Sequence, residues 1–61
     1  RRSSAEHLPV IQDRVDMGSG VAVLGPVVVG HDAIVGANSV IMKDVPPYAT
    51  MLGVPARIVP A

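Results

Sequence analysis

The chain has 61 residues, about half of them apolar, with five basic and five acidic side chains, no cysteine and a single aromatic residue, Tyr48. A formal net charge of zero gives no cationic footprint for a nucleic acid, and the lack of cysteine removes disulfides and thiolate metal sites. No apolar run approaches the ~20 residues of a membrane-spanning helix and the start lacks the apolar core of a signal peptide; the cytoplasm is the default expectation for the compartment.

Residues 1–9 are polar and aperiodic and read as a lead-in loop carrying His7. From Val10 to Val45 a period of six takes over. Ile11, Met17, Val23, Val29, Val35 and Ile41 occupy the first position of successive hexads, and Val15, Val21, Val27, Ala33, Ser39 and Val45 the fifth. That period is neither the 3.6 of a helix nor the 2 of a plain strand. It fits a short strand, a corner and a short strand again, wound as a parallel β-helix in an all-β chain. A narrow interior packed by Val, Ile, Leu, Met and Ala also suits a chain without Phe or Trp.

The corners carry their own signal. Gly20, Asp32, Asn38 and Asp44 stand at the fourth hexad position and are the residue types that enter the left-handed backbone region most easily. Arg14 and Pro26 break the pattern, and because proline cannot take a positive φ, Gly25 is expected to turn that corner. With three hexads to a coil, residues eighteen apart stack, and residues 10–45 make two coils. The smallest corner then stacks Gly18-Ser19-Gly20 under Gly36-Ala37-Asn38, where an edge free of side chains lets a ligand reach the backbone. Turn geometry alone is the other reading of those glycines.

Pro46-Pro47 cannot donate to a ladder, so they are expected to end the solenoid, with Tyr48 outside the repeats and residues 46–61 forming a C-terminal tail. Two coils leave one open apolar end, and the chain starts at Arg1 without an initiator methionine. Both features lead us to expect the C-terminal piece of a longer protein.

Lys43-Asp44-Val45-Pro46-Pro47, five further residues and then Gly53-Val54-Pro55-Ala56-Arg57 resemble the ending of hexapeptide-repeat acyltransferases. Within that family the chain looks most similar to serine O-acetyltransferases, because Pro9-Val10-Ile11 leads into the hexads after a polar loop carrying His7. The resemblance implies a left-handed parallel β-helix, a homotrimer or a dimer of trimers, and acetyl-CoA as co-substrate in a groove between subunits. It also implies transfer of acetyl to a small-molecule hydroxyl, serine's in cysteine biosynthesis, with no metal.

The same resemblance gives candidate roles to individual residues. Ser19 and Ala37, with Gly18 and Gly36 beside them, match positions lining the pantetheine arm, a thin chain whose two amides need backbone partners. Lys43 and Arg57 are the candidate cations for the phosphates of coenzyme A. His31 reads as an exposed structural residue. His7 is the candidate catalytic residue near the acceptor, although His7-Leu8-Pro9 holds one residue more than the family's motif. The principal base of the family lies in an upstream coil, so His7 is expected to orient the acceptor.

A sugar, amino-sugar or antibiotic acceptor on the same fold is the alternative enzyme reading, and a non-catalytic trimeric assembly module is the alternative outside enzymes. A zinc hydrolyase needs three histidine ligands, and the sequence holds only His7 and His31.

Overall fold

A computed structural model describes residues 8–60. Six two-residue strands follow one another at six-residue intervals: β1 (Val10–Ile11), β2 (Asp16–Met17), β3 (Ala22–Val23), β4 (Val28–Val29), β5 (Ile34–Val35) and β6 (Val40–Ile41). Two longer strands close the chain, β7 (Thr50–Gly53) and β8 (Ala56–Ile58). Among themselves the first six pair one coil apart, β1 with β4, β2 with β5 and β3 with β6, all parallel. Val10 faces Val28, Asp16 faces Ile34 and Ala22 faces Val40, the eighteen-residue offset that three hexads per coil require. The three sheets form the sides of a prism, a three-sided parallel β-helix.

Alternation within each strand sends one residue in and one out. Val29, Val35 and Ile41 are essentially inaccessible, and Val27, Ala33, Val45 and Met51 complete the buried core. Each such Val or Ile contributes roughly 1.5–3 kcal/mol through its removal from water. The equivalent residues of the first coil, Val15, Met17, Val21 and Val23, are only partly covered, and Ile11 is 44% exposed. The core is therefore centred on the second coil.

The corners depart from expectation at two positions. Gly20, Asp32 and Asn38 have positive φ and Gly25 turns the proline corner at φ 87°, as expected, but Arg14 joins them at φ 58° and Asp44 does not. Arg14 accepts this backbone where its guanidinium reaches Asp32 in the coil above. At Asp44 the corner is two residues shorter. Val29 pairs with Val45, an offset of sixteen, and the carboxylate of Asp44 accepts the Val28 N–H at 2.8 Å. A side chain thus stands in for a backbone rung.

Parallel stacking also continues beyond Pro46-Pro47. β5 pairs with β7, Ile34 facing Thr50 and Val35 facing Met51, at the same offset of sixteen. The prolines lie at a corner, over Gly30, whose added Cβ would stand 2.5 Å from the Pro47 nitrogen. The neighbouring Tyr48 donates its N–H to the His31 carbonyl at 3.0 Å, and its φ of 65° repeats the left-handed turn of Asp32 below it. Tyr48 is therefore a corner residue of a third, partial coil. After Gly53 the chain reverses through Val54 and a cis peptide bond to Pro55, and β8 lies antiparallel on β7 with Leu52 facing Arg57 and Gly53 facing Ala56.

Candidate functional site

Two of the sequence-selected cations meet in one place. Lys43, on the short corner after β6, and Arg57, in β8, line one side-chain cleft together with Met42, Pro55 and Ala56. The cleft holds about 390 Å³. One wall comes from the coil and the other from the β7–β8 hairpin, so the reversal at Val54-Pro55 is what carries Arg57 back toward Lys43. Two cations over an apolar floor suit an anionic group attached to a flat apolar body. The sequence singled out Lys43 and Arg57. Met42 escaped notice because an apolar corner residue has no chemical signature of its own.

The small corner stands beside this cleft, joined to it by Leu52. Leu52 lies against Gly36, where an added Cβ would stand 2.6 Å from Leu52 Cδ1, and it faces Arg57 across the hairpin. Ser19 and Ala37 are exposed at the corner itself. Bonds between coils use the N–H groups of Gly18, Gly36 and Asn38 and the carbonyl of Ser19, at 2.8–2.9 Å. The N–H and C=O of Ala37 take no part in those bonds, which leaves an amide for an extended ligand. Gly18 has an internal reason to be glycine, since a Cβ there would stand 2.6 Å from the Ala37 nitrogen.

The opposite corner gathers Gln12, Asp13, Arg14 and His31 around a shallow depression. Arg14 donates through Nε and Nη2 to the two carboxylate oxygens of Asp32 at 2.9 and 3.0 Å, and His31 Nδ1 lies 2.8 Å from Asp32 Oδ2. The Arg14 guanidinium, with His31 second, holds the Asp32 carboxyl down at a pKa of about 2. Because an ionised carboxylate only accepts, His31 donates from Nδ1. Tyr48 meets the imidazole edge to face with ring centres 5.1 Å apart, and Gln12 Oε1 accepts the His31 N–H at 3.0 Å. His31 is thus engaged in joining one coil to the next.

His7 lies outside the described residues. Among the described residues no group of three or more His, Asp or Glu gathers to hold a metal, and no helix is long and apolar enough to cross a membrane.

Comparison with known proteins gives this geometry its setting. No family model matches the chain. A serine acetyltransferase of Mycobacterium tuberculosis is 47% identical over 51 residues, which cover 84% of this chain and 22% of that protein. The chain matches the C-terminal part of serine acetyltransferases. It spans about a fifth of the length of the curated relatives it matches. A serine acetyltransferase structure in complex with CoA superposes on 90% of this chain with a TM-score of 0.86 and 47% identity, using 23% of that chain. PerB from Caulobacter crescentus, in complex with CoA and GDP-perosamine, aligns with 85% of the segment and 25% of its own chain at TM-score 0.84 and 36% identity. These hexapeptide-repeat acyltransferases give the segment its class, a left-handed parallel β-helix.

Proposed function

We propose that the segment forms the donor-binding, C-terminal part of an acetyl-CoA-dependent serine O-acetyltransferase. The observation that carries this reading is the convergence of Lys43 and Arg57 on one cleft in a chain whose relatives are serine acetyltransferases, one of them in complex with CoA. Lys43 and Arg57 bind the phosphates of coenzyme A, and Met42 and Pro55 give the nucleotide end an apolar rest. The pantetheine arm runs from there past Leu52 along the Gly18, Ser19, Gly36 and Ala37 corner, where the Ala37 amide meets its polar groups.

Acetyl transfer needs a base within hydrogen-bond reach of the acceptor hydroxyl. His7, in the lead-in, orients the acceptor or supports developing charge beside a base supplied from outside this segment. The serine hydroxyl attacks the thioester carbonyl, the C–S bond breaks, and coenzyme A leaves as the thiol. The half-covered first coil suits continuation of the stack on that side, and a groove between subunits suits a homotrimer or a dimer of trimers in the cytoplasm.

Release of coenzyme A, followed with a thiol reagent in the intact enzyme, tests the reading against L-serine, an amino sugar and an aminoglycoside. Turnover with serine alone supports it. Preference for a sugar would replace the acceptor, and no binding of coenzyme A would leave a structural module.

A further inference from the structure

Every hexad places Val or Ala at its inward fifth position except the fifth, which places Ser39 there. Ser39 is 1% exposed, the only buried polar residue among those described. Its hydroxyl accepts the N–H of Gly53 at 3.1 Å. The ladder around it explains why. Between β5 and β7 the N–H of Ile34 bonds the Ala49 carbonyl and the N–H of Gly36 bonds the Met51 carbonyl, at 2.8 and 2.9 Å. In a parallel pair the next rung would run from Gly53 N–H to the Gly36 carbonyl. That carbonyl is taken by the Ser39 N–H at 3.3 Å, and Gly53 turns instead to the Ser39 hydroxyl.

Ser39 therefore substitutes for the rung at the point where the hairpin leaves the sheet. Gly53, at φ 108°, faces Ala56 across that hairpin, and Pro55, Ala56 and Arg57 form one wall of the cleft. The other wall, Met42 and Lys43, follows Ser39 directly along the chain through β6. One buried hydroxyl ties the start of one wall to the start of the other. We infer that Ser39 is a positioning residue for the Lys43 and Arg57 cleft, setting the separation of the two cations from inside the prism, where it touches no ligand. The inference rests on the reading of that cleft as the coenzyme A site.

In the intact enzyme, Ser39→Ala is expected to raise KM for acetyl-CoA about tenfold, the size of one lost hydrogen bond, while kcat and KM for serine stay within about twofold. Ser39→Thr keeps the hydroxyl and should restore most of the loss. Ser39→Val has the residue most common at this position and guards against a folding failure of the smaller variant. In an Arg57→Ala background the effect of losing the hydroxyl should fall below about twofold, because the group being positioned is gone. Equal loss in the Ala and Thr variants, a fall in kcat matching the change in kcat/KM, or full additivity with Arg57→Ala would overturn the positioning role. If Lys43→Ala and Arg57→Ala leave KM for acetyl-CoA unchanged, the cleft is not the coenzyme A site and the donor reading itself fails. If those two variants raise KM and Ser39→Ala does not, only the role of Ser39 fails.

Discussion

Arg14 and Asp32 stand eighteen residues apart in sequence and join two successive coils through a two-pronged ion pair of 2.9 and 3.0 Å. Both have the left-handed backbone, at φ 58° and 60°. The pair sets a pH dependence whose sign follows from the depressed carboxyl. Asp32 titrates at about 2 when folded against an ordinary 3.8, so its contribution to stability is complete above pH 4 and is lost as pH falls from 3.8 through 2. Melting temperatures of the wild type and Asp32→Asn should differ by a constant amount at neutral pH and converge toward pH 2. Because the Arg14 side chain is 66% exposed, the difference should be small and should shrink in salt. Curves that stay parallel down to pH 2 would show that the pair does not hold the coils together.

The cleft proposed for the donor makes a charge prediction. Lys43→Ala and Arg57→Ala should each raise KM for acetyl-CoA by about tenfold to a hundredfold, as expected for losing one charge-assisted phosphate contact. Kinetics with acetyl-CoA over a range of ionic strength would show a weaker salt dependence for both variants than for the parent. A phosphate-free pantetheine thioester should be used equally well by parent and variants.

The small corner makes a steric prediction. Ala37→Trp places a large side chain on the edge proposed for the pantetheine arm and should weaken coenzyme A binding strongly while leaving the proposed oligomer unchanged. Asp13→Trp, at the opposite corner, should leave binding within about twofold. Calorimetric titration with coenzyme A compares the two, and equal affinities would move the arm elsewhere.

Two glycines separate crowding from strain. A Cβ on Gly18 would stand 2.6 Å from the backbone nitrogen of Ala37, whereas one on Gly25 would have no heavy atom within 4 Å. Gly18→Ala must therefore push two coils apart and should cost about 1–3 kcal/mol. Gly25→Ala meets only the strain of φ 87° and should cost about 1 kcal/mol. Denaturant midpoints of the two variants in the intact protein would reverse this order if backbone strain outweighed packing.

The histidine of the lead-in makes a kinetic prediction. His7→Ala should lower kcat or raise KM for serine by roughly tenfold to a thousandfold and leave the affinity for coenzyme A unaltered. Unchanged acceptor kinetics would return His7 to an ordinary loop residue.

The prism was legible because its cause repeats: an inward Val, Ile or Met every six residues leaves little else for the chain to do, and the paired strands keep that spacing through β6. Lys43 and Arg57 were legible as candidate cations, whereas their meeting was not, because it depends on the hairpin reversing after Gly53. The left-handed turn at Arg14 was hidden because residue preference at a single position is weaker than a partner in the next coil. The stop expected at Pro46-Pro47 failed for a related reason. A missing N–H costs a single rung, and the stacking resumes past it, with the Tyr48 N–H on the His31 carbonyl and β7 paired to β5. Ser39 escaped because a small polar residue inside a solenoid acquires meaning only when its acceptor role is seen.

The antiparallel strand β8 lies along the outer edge of β7, at the end of the four-stranded order β2-β5-β7-β8. A stacked parallel sheet otherwise ends in a row of free donors and acceptors, the template on which another chain adds. Here that row is met by the protein's own returning strand, running in the opposite direction and only three residues long. A newcomer therefore finds a short, reversed edge in place of the continuing coil it would copy. The same fold-back that brings Arg57 to its cleft also covers the outer edge of this one sheet.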